Sequence, residues 1–434
     1  SSAASDVYKR QLIKDSIIEK ISEVELNSES YNNQKIDAVF DMKCNLVMPG
    51  FVDAFSRINK QSSYSTSDYE TESRACAYGG ITTFVDVPTA PISEKYFDSI
   101  ISKVNNANEK SHVNFGFVVS VSDLSNISEL EKIQDYSVGT IVNINARTIN
   151  ERISDSEKLS ETLRASKMVL LHLSGYDIDL FFSVCDNKQT KLVFYDITNE
   201  NDLEKILSYK KEGFNIRTAT SVNYLLFNKD MIANEYKRKT ITTEYKLGTM
   251  LNNLGLWNAI KDRKIDIITS DHTPVTLIEK FETNEKGLPN FETMFSILFD
   301  SCYYKRIPIT ILEDLLSKNP AKVCGFKNKG EIKEGYDADL VVVNTTKRWW
   351  IKNEDIVSSA RWTPFNDYRI SGRVMMTFVN GQLVYNYINQ MMPIREVRAG
   401  RLATFEDNAS KRYASDLNLS LIHIWRCRRS TLCR

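Results

Sequence analysis

GGITTFVDVP, residues 79–88, carries the decisive local signal: two glycines close a helical stretch over 67–78, and a β-branched, apolar run follows at once. Working outward, the same unit recurs. Apolar runs stand at 46–55 (LVMPGFVDAF), 112–121 (HVNFGFVVSV), 138–145 (VGTIVNIN) and 168–174 (MVLLHLS). Three more stand at 191–198 (KLVFYDIT), 215–222 (NIRTATSV) and 265–274 (IDIITSDHTP). Helical patterns such as 201–212 and 252–263 separate most of them. Short apolar strands alternating with amphipathic helices predict βα units around a parallel sheet. Eight such units over about 250 residues match a TIM (β/α)8 barrel, with a doubly wound sheet as the alternative. Residues 12–45 and 330–390 read instead as short strands with turns, among them GRVMMTFVNGQLVYN at 372–386 with its Asn380-Gly381 hairpin signal.

Composition narrows the class. The 434 residues are 42% hydrophobic and 26% charged, with 56 basic and 56 acidic side chains. That balance argues against a nucleic-acid or polybasic membrane surface. No apolar run approaches a membrane span, and no secretory signal opens the chain, so a cytoplasmic protein is expected. Seven cysteines without CxxC spacing suit a reducing compartment. SSAASDVYKRQ (1–11) and LSLIHIWRCRRSTLCR (419–434) read as translated adapter sequence and are expected outside the fold. The expected layout is a β-sandwich part at 12–48, a barrel at 49–328, the rest of the sandwich at 329–395 and an extension at 396–418.

PGFVD (49–53), GGITTFVDVP (79–88), TSDHTP (269–274), SKNPAKVCGF (317–326) and GYDADLVVVN (335–344) stand in one order. Together they resemble the cyclic amidohydrolases: the dihydroorotase, allantoinase and dihydropyrimidinase group. The resemblance covers residues 12 to about 390 and implies a TIM barrel with a small β-sandwich built from both chain ends. It also implies two zinc ions at the barrel mouth, which polarise an amide carbonyl and supply hydroxide.

The ligand positions that the resemblance implies are mostly substituted. The first-strand HxH falls on Phe55 and Arg57; a phenyl ring does not ligate zinc and a guanidinium repels it. The bridging position on strand four falls among Val142, Asn143, Ile144 and Asn145, and the strand-six histidine is Tyr195. His172 on strand five and Asp271 on strand eight remain, the latter as a remnant of the family's general base and ligand. The substrate-binding positions fall on Asn59 and Thr89. Asp196, as a strand neighbour of Tyr195, is expected on the opposite face. No bound cofactor is therefore expected.

Plainer readings stand beside these. His172 reads as a buried core histidine, His272 as a structural residue facing away from the barrel axis, and His112 as a surface residue. Lys280 and Glu292 read as solvated, Tyr303 and Tyr304 as core. An empty metal site leaves Asp271 a buried carboxylate in need of a counter-charge. Arg57 is expected to supply it in a bidentate pair, with Tyr195 as a hydrogen-bonding neighbour and a cost of about 3–5 kcal/mol for Asp271→Ala. The functional expectation is a non-catalytic dihydroorotase-like scaffold or assembly partner in pyrimidine biosynthesis. It would be homo- or hetero-oligomeric, with aspartate transcarbamoylase as the partner suggested by the resemblance and with no nucleic acid or membrane. The alternative is an active hydrolase of a cyclic amide with an atypical site.

Overall fold

The computed structural model describes residues 9–23, 36–42, 45–58, 67–88, 96–121, 127–142, 156–387, 397–405 and 422–427. Eight parallel strands run in sequence order around a barrel: β1 (Phe51–Ser56), β2 (Ile81–Asp86), β3 (Asn114–Val121), β4 (Gly139–Val142), β5 (Met168–Leu171), β6 (Lys191–Phe194), β7 (Ile216–Ser221) and β8 (Ile267–Thr269). Each coincides with one of the eight apolar runs. The strands are buried almost throughout, as a parallel sheet covered on both faces requires. β1 and β8 close the barrel through a local bridge between Ser56 and His272 and through the Asp53 carboxylate, which accepts from the Ser270 backbone N–H at 2.8 Å.

The helix after β1, α1 (Tyr69–Tyr78), begins where the Asp68 side chain accepts the Thr71 N–H at 2.8 Å. It ends at Gly79, and Gly80 follows with φ 81°. A Cβ at Gly80 would lie 2.7 Å from Val341 and 2.8 Å from the Phe51 ring, so the turn requires glycine twice over.

The run at 46–55 is two elements divided at Pro49-Gly50. Leu46–Pro49 pairs antiparallel with Leu340–Asn344, and only Phe51–Ser56 enters the barrel. The break falls at Gly50, where a Cβ would meet the Thr82 hydroxyl oxygen at 2.1 Å, while the Gly50 N–H donates to Asp339 O at 2.8 Å.

Outside the barrel, a four-stranded sheet in the order Gln382–Asn386, Arg373–Val379, Leu340–Asn344 and Leu46–Pro49 faces a second one. The second runs Ile17–Ser22, Lys9–Lys14, Ile422–Cys427 and Ala38–Asp41. Ile13, Ile18, Val47, Leu340, Val342 and Phe378 share one core between the two sheets, so both ends of the chain build it. The end segments set aside on sequence grounds are corrected here in part: Lys9–Gln11 opens a strand, and Ile422–Cys427 pairs antiparallel with it. The physical reason is that an extended run such as IHIWRC offers backbone donors and acceptors on both sides whatever its origin, and it pairs with Lys9–Lys14 on one side and Ala38–Asp41 on the other. Residues 397–405 lie along β3, with the Phe115 N–H donating to Arg401 O at 3.1 Å and the Ala403 N–H donating to Phe115 O at 2.9 Å. Among the described residues no helix is long and apolar enough to cross a membrane.

Candidate functional site at the barrel mouth

β1 ends at Ser56, and the next backbone N–H, that of Arg57, donates to His272 O at 2.8 Å. The seam between β1 and β8 therefore fixes Arg57 beside Asp271, which takes a left-handed conformation (φ 46°) just past β8. Arg57 Nη1 lies 2.9 Å from Asp271 Oδ1. The second carboxylate oxygen accepts from Asn223 Nδ2 at 3.1 Å, and Asn290 Nδ2 in turn donates to Asn223 Oδ1 at 3.0 Å. The side chains of Arg57 and Asp271 are 15% and 2% exposed. The contact is a single charge-assisted hydrogen bond rather than the expected bidentate pair, because Asn223 already holds Oδ2.

Aromatic rings flank the pair. The Arg57 guanidinium lies 4.9 Å from the Phe55 ring centroid, and Phe55 stacks on Tyr195 at 4.5 Å. The Tyr195 hydroxyl shares a hydrogen bond with the Tyr245 hydroxyl at 3.1 Å, so it does not serve Arg57 as expected. The His172 ring stacks on Tyr245 at 3.2 Å, and its Nδ1 sits 3.3 Å from Tyr195 O. A carbonyl only accepts, so Nδ1 carries the proton. Burial lowers the His172 pKa to about 4, against the pull of that carbonyl, and leaves the ring neutral at neutral pH.

Asp196 is corrected. It takes φ 50°, which breaks the strand alternation and turns the carboxyl toward the pair. It is fully buried, and among the described residues its carboxyl makes no hydrogen bond; the Ser221 hydroxyl stands near it but short of bonding geometry. Burial raises its pKa well above the carboxylate range, Asp271 adds to this, and Arg57 opposes it. The Asp271 pKa is likewise raised by burial against Arg57 and Asn223. For Arg57, burial opposes the charge, but Asp271 and Asp196 outweigh it and raise the pKa. One guanidinium thus serves several carboxyls, Glu244 among those whose field it feels.

Neighbouring expectations also change. His112 is buried, not on the surface, with Nδ1 2.9 Å from Val397 O. Lys280 is buried and its ammonium donates to Thr242 O at 3.2 Å. Glu292 is half-buried and accepts the Val357 N–H at 2.6 Å. Tyr303 and Tyr304 are 60% and 64% exposed rather than core. His272 is buried against Phe291 and donates from Nε2 to Glu72 Oε2 at 3.0 Å, while its Nδ1 accepts the Asn290 N–H at 3.1 Å. Asn59, Thr89 and residues 143–145 lie outside the described residues.

These side chains do not fit two zinc ions. Phe55, Arg57 and Tyr195 offer no metal donor of the needed kind, one oxygen of Asp271 is engaged by a fixed cation, and His172 is closed in by Tyr245. Among the described residues no three His, Cys, Asp or Glu side chains converge where they could hold a metal. Introducing both first-strand histidines (Phe55→His with Arg57→His) is therefore expected to give no sub-micromolar zinc binding, since Tyr195 still occupies the strand-six position. Calorimetry that finds such affinity would show the pocket to be far better prepared than its donors indicate.

A closed eight-stranded parallel barrel with polar groups at its C-terminal strand ends, joined to a β-sandwich made from both chain ends, defines a TIM-barrel protein with a composite sandwich. The chain belongs to the amidohydrolase family, which it matches over residues 46–384. The dihydroorotase of Methanosphaera stadtmanae is 25% identical over 412 residues, covering 86% of this chain and 92% of that protein. The allantoinase of Bacillus licheniformis is 24% identical over 404 residues, covering 80% and 87%. The crystal structure of dihydropyrimidinase from Brevibacillus agri superposes with a TM-score of 0.79 at 20% identity, covering 93% of this chain and 97% of that one, a likeness of fold.

Proposed function

We propose that this protein is a dihydroorotase-like homologue that does not hydrolyse cyclic amides and acts in the cytoplasm as a scaffold or assembly partner in pyrimidine biosynthesis. The observation that carries the reading is the Arg57–Asp271 contact at 2.9 Å. Hydrolysis of this type needs a polarised carbonyl and a hydroxide available near neutral pH, which a metal ion supplies by lowering the pKa of water. A guanidinium supplies positive charge without generating hydroxide, and it occupies the carboxylate a metal would use. Retention of the fold with this substitution supports a role that depends on shape and surface. Aspartate transcarbamoylase as the partner follows from the resemblance to dihydroorotases.

Elemental analysis of protein dialysed without chelator is expected to find zinc, manganese and iron well below one ion per chain. Dihydroorotate, allantoin and dihydrouracil are expected not to be hydrolysed above background, with or without added zinc. One or two tightly held metals together with turnover abolished by Asp271→Asn would replace this reading with that of a working hydrolase. Co-elution with the aspartate transcarbamoylase of the same cell tests the partner.

A further inference from the structure

Between the barrel and the C-terminal strands lies a cavity of about 50 Å³ whose walls include Glu292, Ser296, Trp349, Arg373 and Tyr385. None of Phe55, Arg57, His172, Tyr195 or Asp271 lines it. At roughly 10–15 Å³ per water position, it has room for about three to five waters or one planar group of about four heavy atoms.

Several wall groups lack partners they would ordinarily have. Arg373 is half-buried, with its guanidinium carbon 4.3 Å from the Trp349 ring centroid and 3.6 Å from that of Tyr387. Stacking holds the flat fork in place, yet among the described residues no carboxylate pairs with its N–H edge. The Trp349 indole N–H is buried and has no acceptor among the described residues. Glu292 accepts two backbone N–H groups on Oε1, from Val357 at 2.6 Å and Ser358 at 3.2 Å. Burial nevertheless pushes its carboxyl up to about 7. Exposed Lys352 and Asp355 also border the cavity; Lys352 is ion-paired with Asp367, and Asp355 adds negative charge at the solvent rim.

Two unmet donors and one carboxyl around a four-atom space call for a ligand that accepts on one side and donates on the other. We propose that this cavity binds a small planar oxyanion bearing one proton, of the size and chemistry of bicarbonate. Its free oxygens accept from the Arg373 guanidinium and the Trp349 indole N–H, and its O–H donates to Glu292 Oε2. Planar, directional donors favour such an anion over spherical chloride.

The test is calorimetric titration of the full chain with sodium bicarbonate, against sodium chloride and sodium acetate at equal ionic strength and pH. Saturable bicarbonate binding is expected, with a matching rise in unfolding temperature. Trp349→Phe keeps the ring beneath Arg373 and removes only the N–H; it should weaken binding about tenfold, as should Arg373→Lys. Acetate, which lacks the O–H, should bind more weakly than bicarbonate, and Glu292→Gln should narrow that difference. Binding no stronger than that of chloride, or bicarbonate binding unchanged in Trp349→Phe, overturns the site. Acetate binding as tightly as bicarbonate overturns the assigned ligand.

Discussion

Arg57→Met is expected to cost about 3–5 kcal/mol at neutral pH, and more than Asp271→Ala. The asymmetry follows from the charge arrangement. Removing the guanidinium leaves two fully buried carboxyls, Asp271 and Asp196, with no paired cation among the described residues, and there the Asp196 carboxyl has no hydrogen bond to fall back on. Removing Asp271 leaves Arg57 in the field of Asp196 and Glu244, and 15% of its side chain still reaches solvent. Part of the Asp271→Ala loss is local, because alanine at φ 46° is strained by roughly 1–2 kcal/mol. That part does not cancel against the arginine change. The double variant should therefore fall short of the summed single losses by about 1–3 kcal/mol.

The pH dependence has a definite sign. Burial already raises Asp271 and Asp196 above their unfolded values, and removing Arg57 raises them further. The folded variant then binds more protons than the unfolded chain, so its stability falls as pH rises. The deficit against the parent protein should be smallest near about pH 4 and grow toward pH 8. Urea unfolding at both ends of that range reads it directly. Additive losses in the cycle, or a deficit that stays flat with pH, would remove the pair from any structural role.

How far this site was legible depends on whether a contact is local. Arg57 and Asp271 are 214 residues apart, yet the barrel seam places them together, and strand order alone brings β1 beside β8. The eight strands were equally legible, since each is a short apolar run bounded by polar sequence. Asp196 was not: strand alternation sends it to the opposite face, and only its left-handed backbone brings it round. Asparagine and aspartate tolerate that conformation, but nothing in FYDIT announces it. Tyr245 and Asn223 were missed because the resemblance assigns those positions no ligand role. His112 looked like a surface residue until Val397, 285 residues away, covered it.

The second large effect lies in GYDADLVVVN, whose two aspartates have no part in the mouth. Lys329 is 2% exposed and bridges Asp337 Oδ2 at 2.8 Å and Asp339 Oδ2 at 2.6 Å. Burial works against its charge, but the two aspartates outweigh burial and hold its pKa above the ordinary lysine value. Asp339 also accepts Asn114 Nδ2 from the start of β3 at 3.0 Å and the Asn380 N–H from the hairpin turn at 2.7 Å. Arg401 approaches Asp337 at 3.4 Å. One ammonium thus ties the sandwich strands, the barrel and the 397–405 segment together. Lys329→Met keeps the apolar stem but leaves two buried or half-buried carboxylates facing each other, with an expected cost of about 3–5 kcal/mol. Arg401 can relieve Asp337, and the Asn114 and Asn380 donors keep Asp339 hydrogen-bonded, so the loss should sit at the lower end of that range. The two aspartates share one cation, so Lys329→Met with Asp339→Asn should recover part of the loss. In urea the signature is a lower midpoint. If the network couples sandwich to barrel, the transition should be broader in the variant than in the parent, or split, because each part then unfolds with less help from the other. A midpoint shift worth under about 1 kcal/mol would mean that the backbone pairing of Leu46–Pro49 with Leu340–Asn344 holds the junction without the charges.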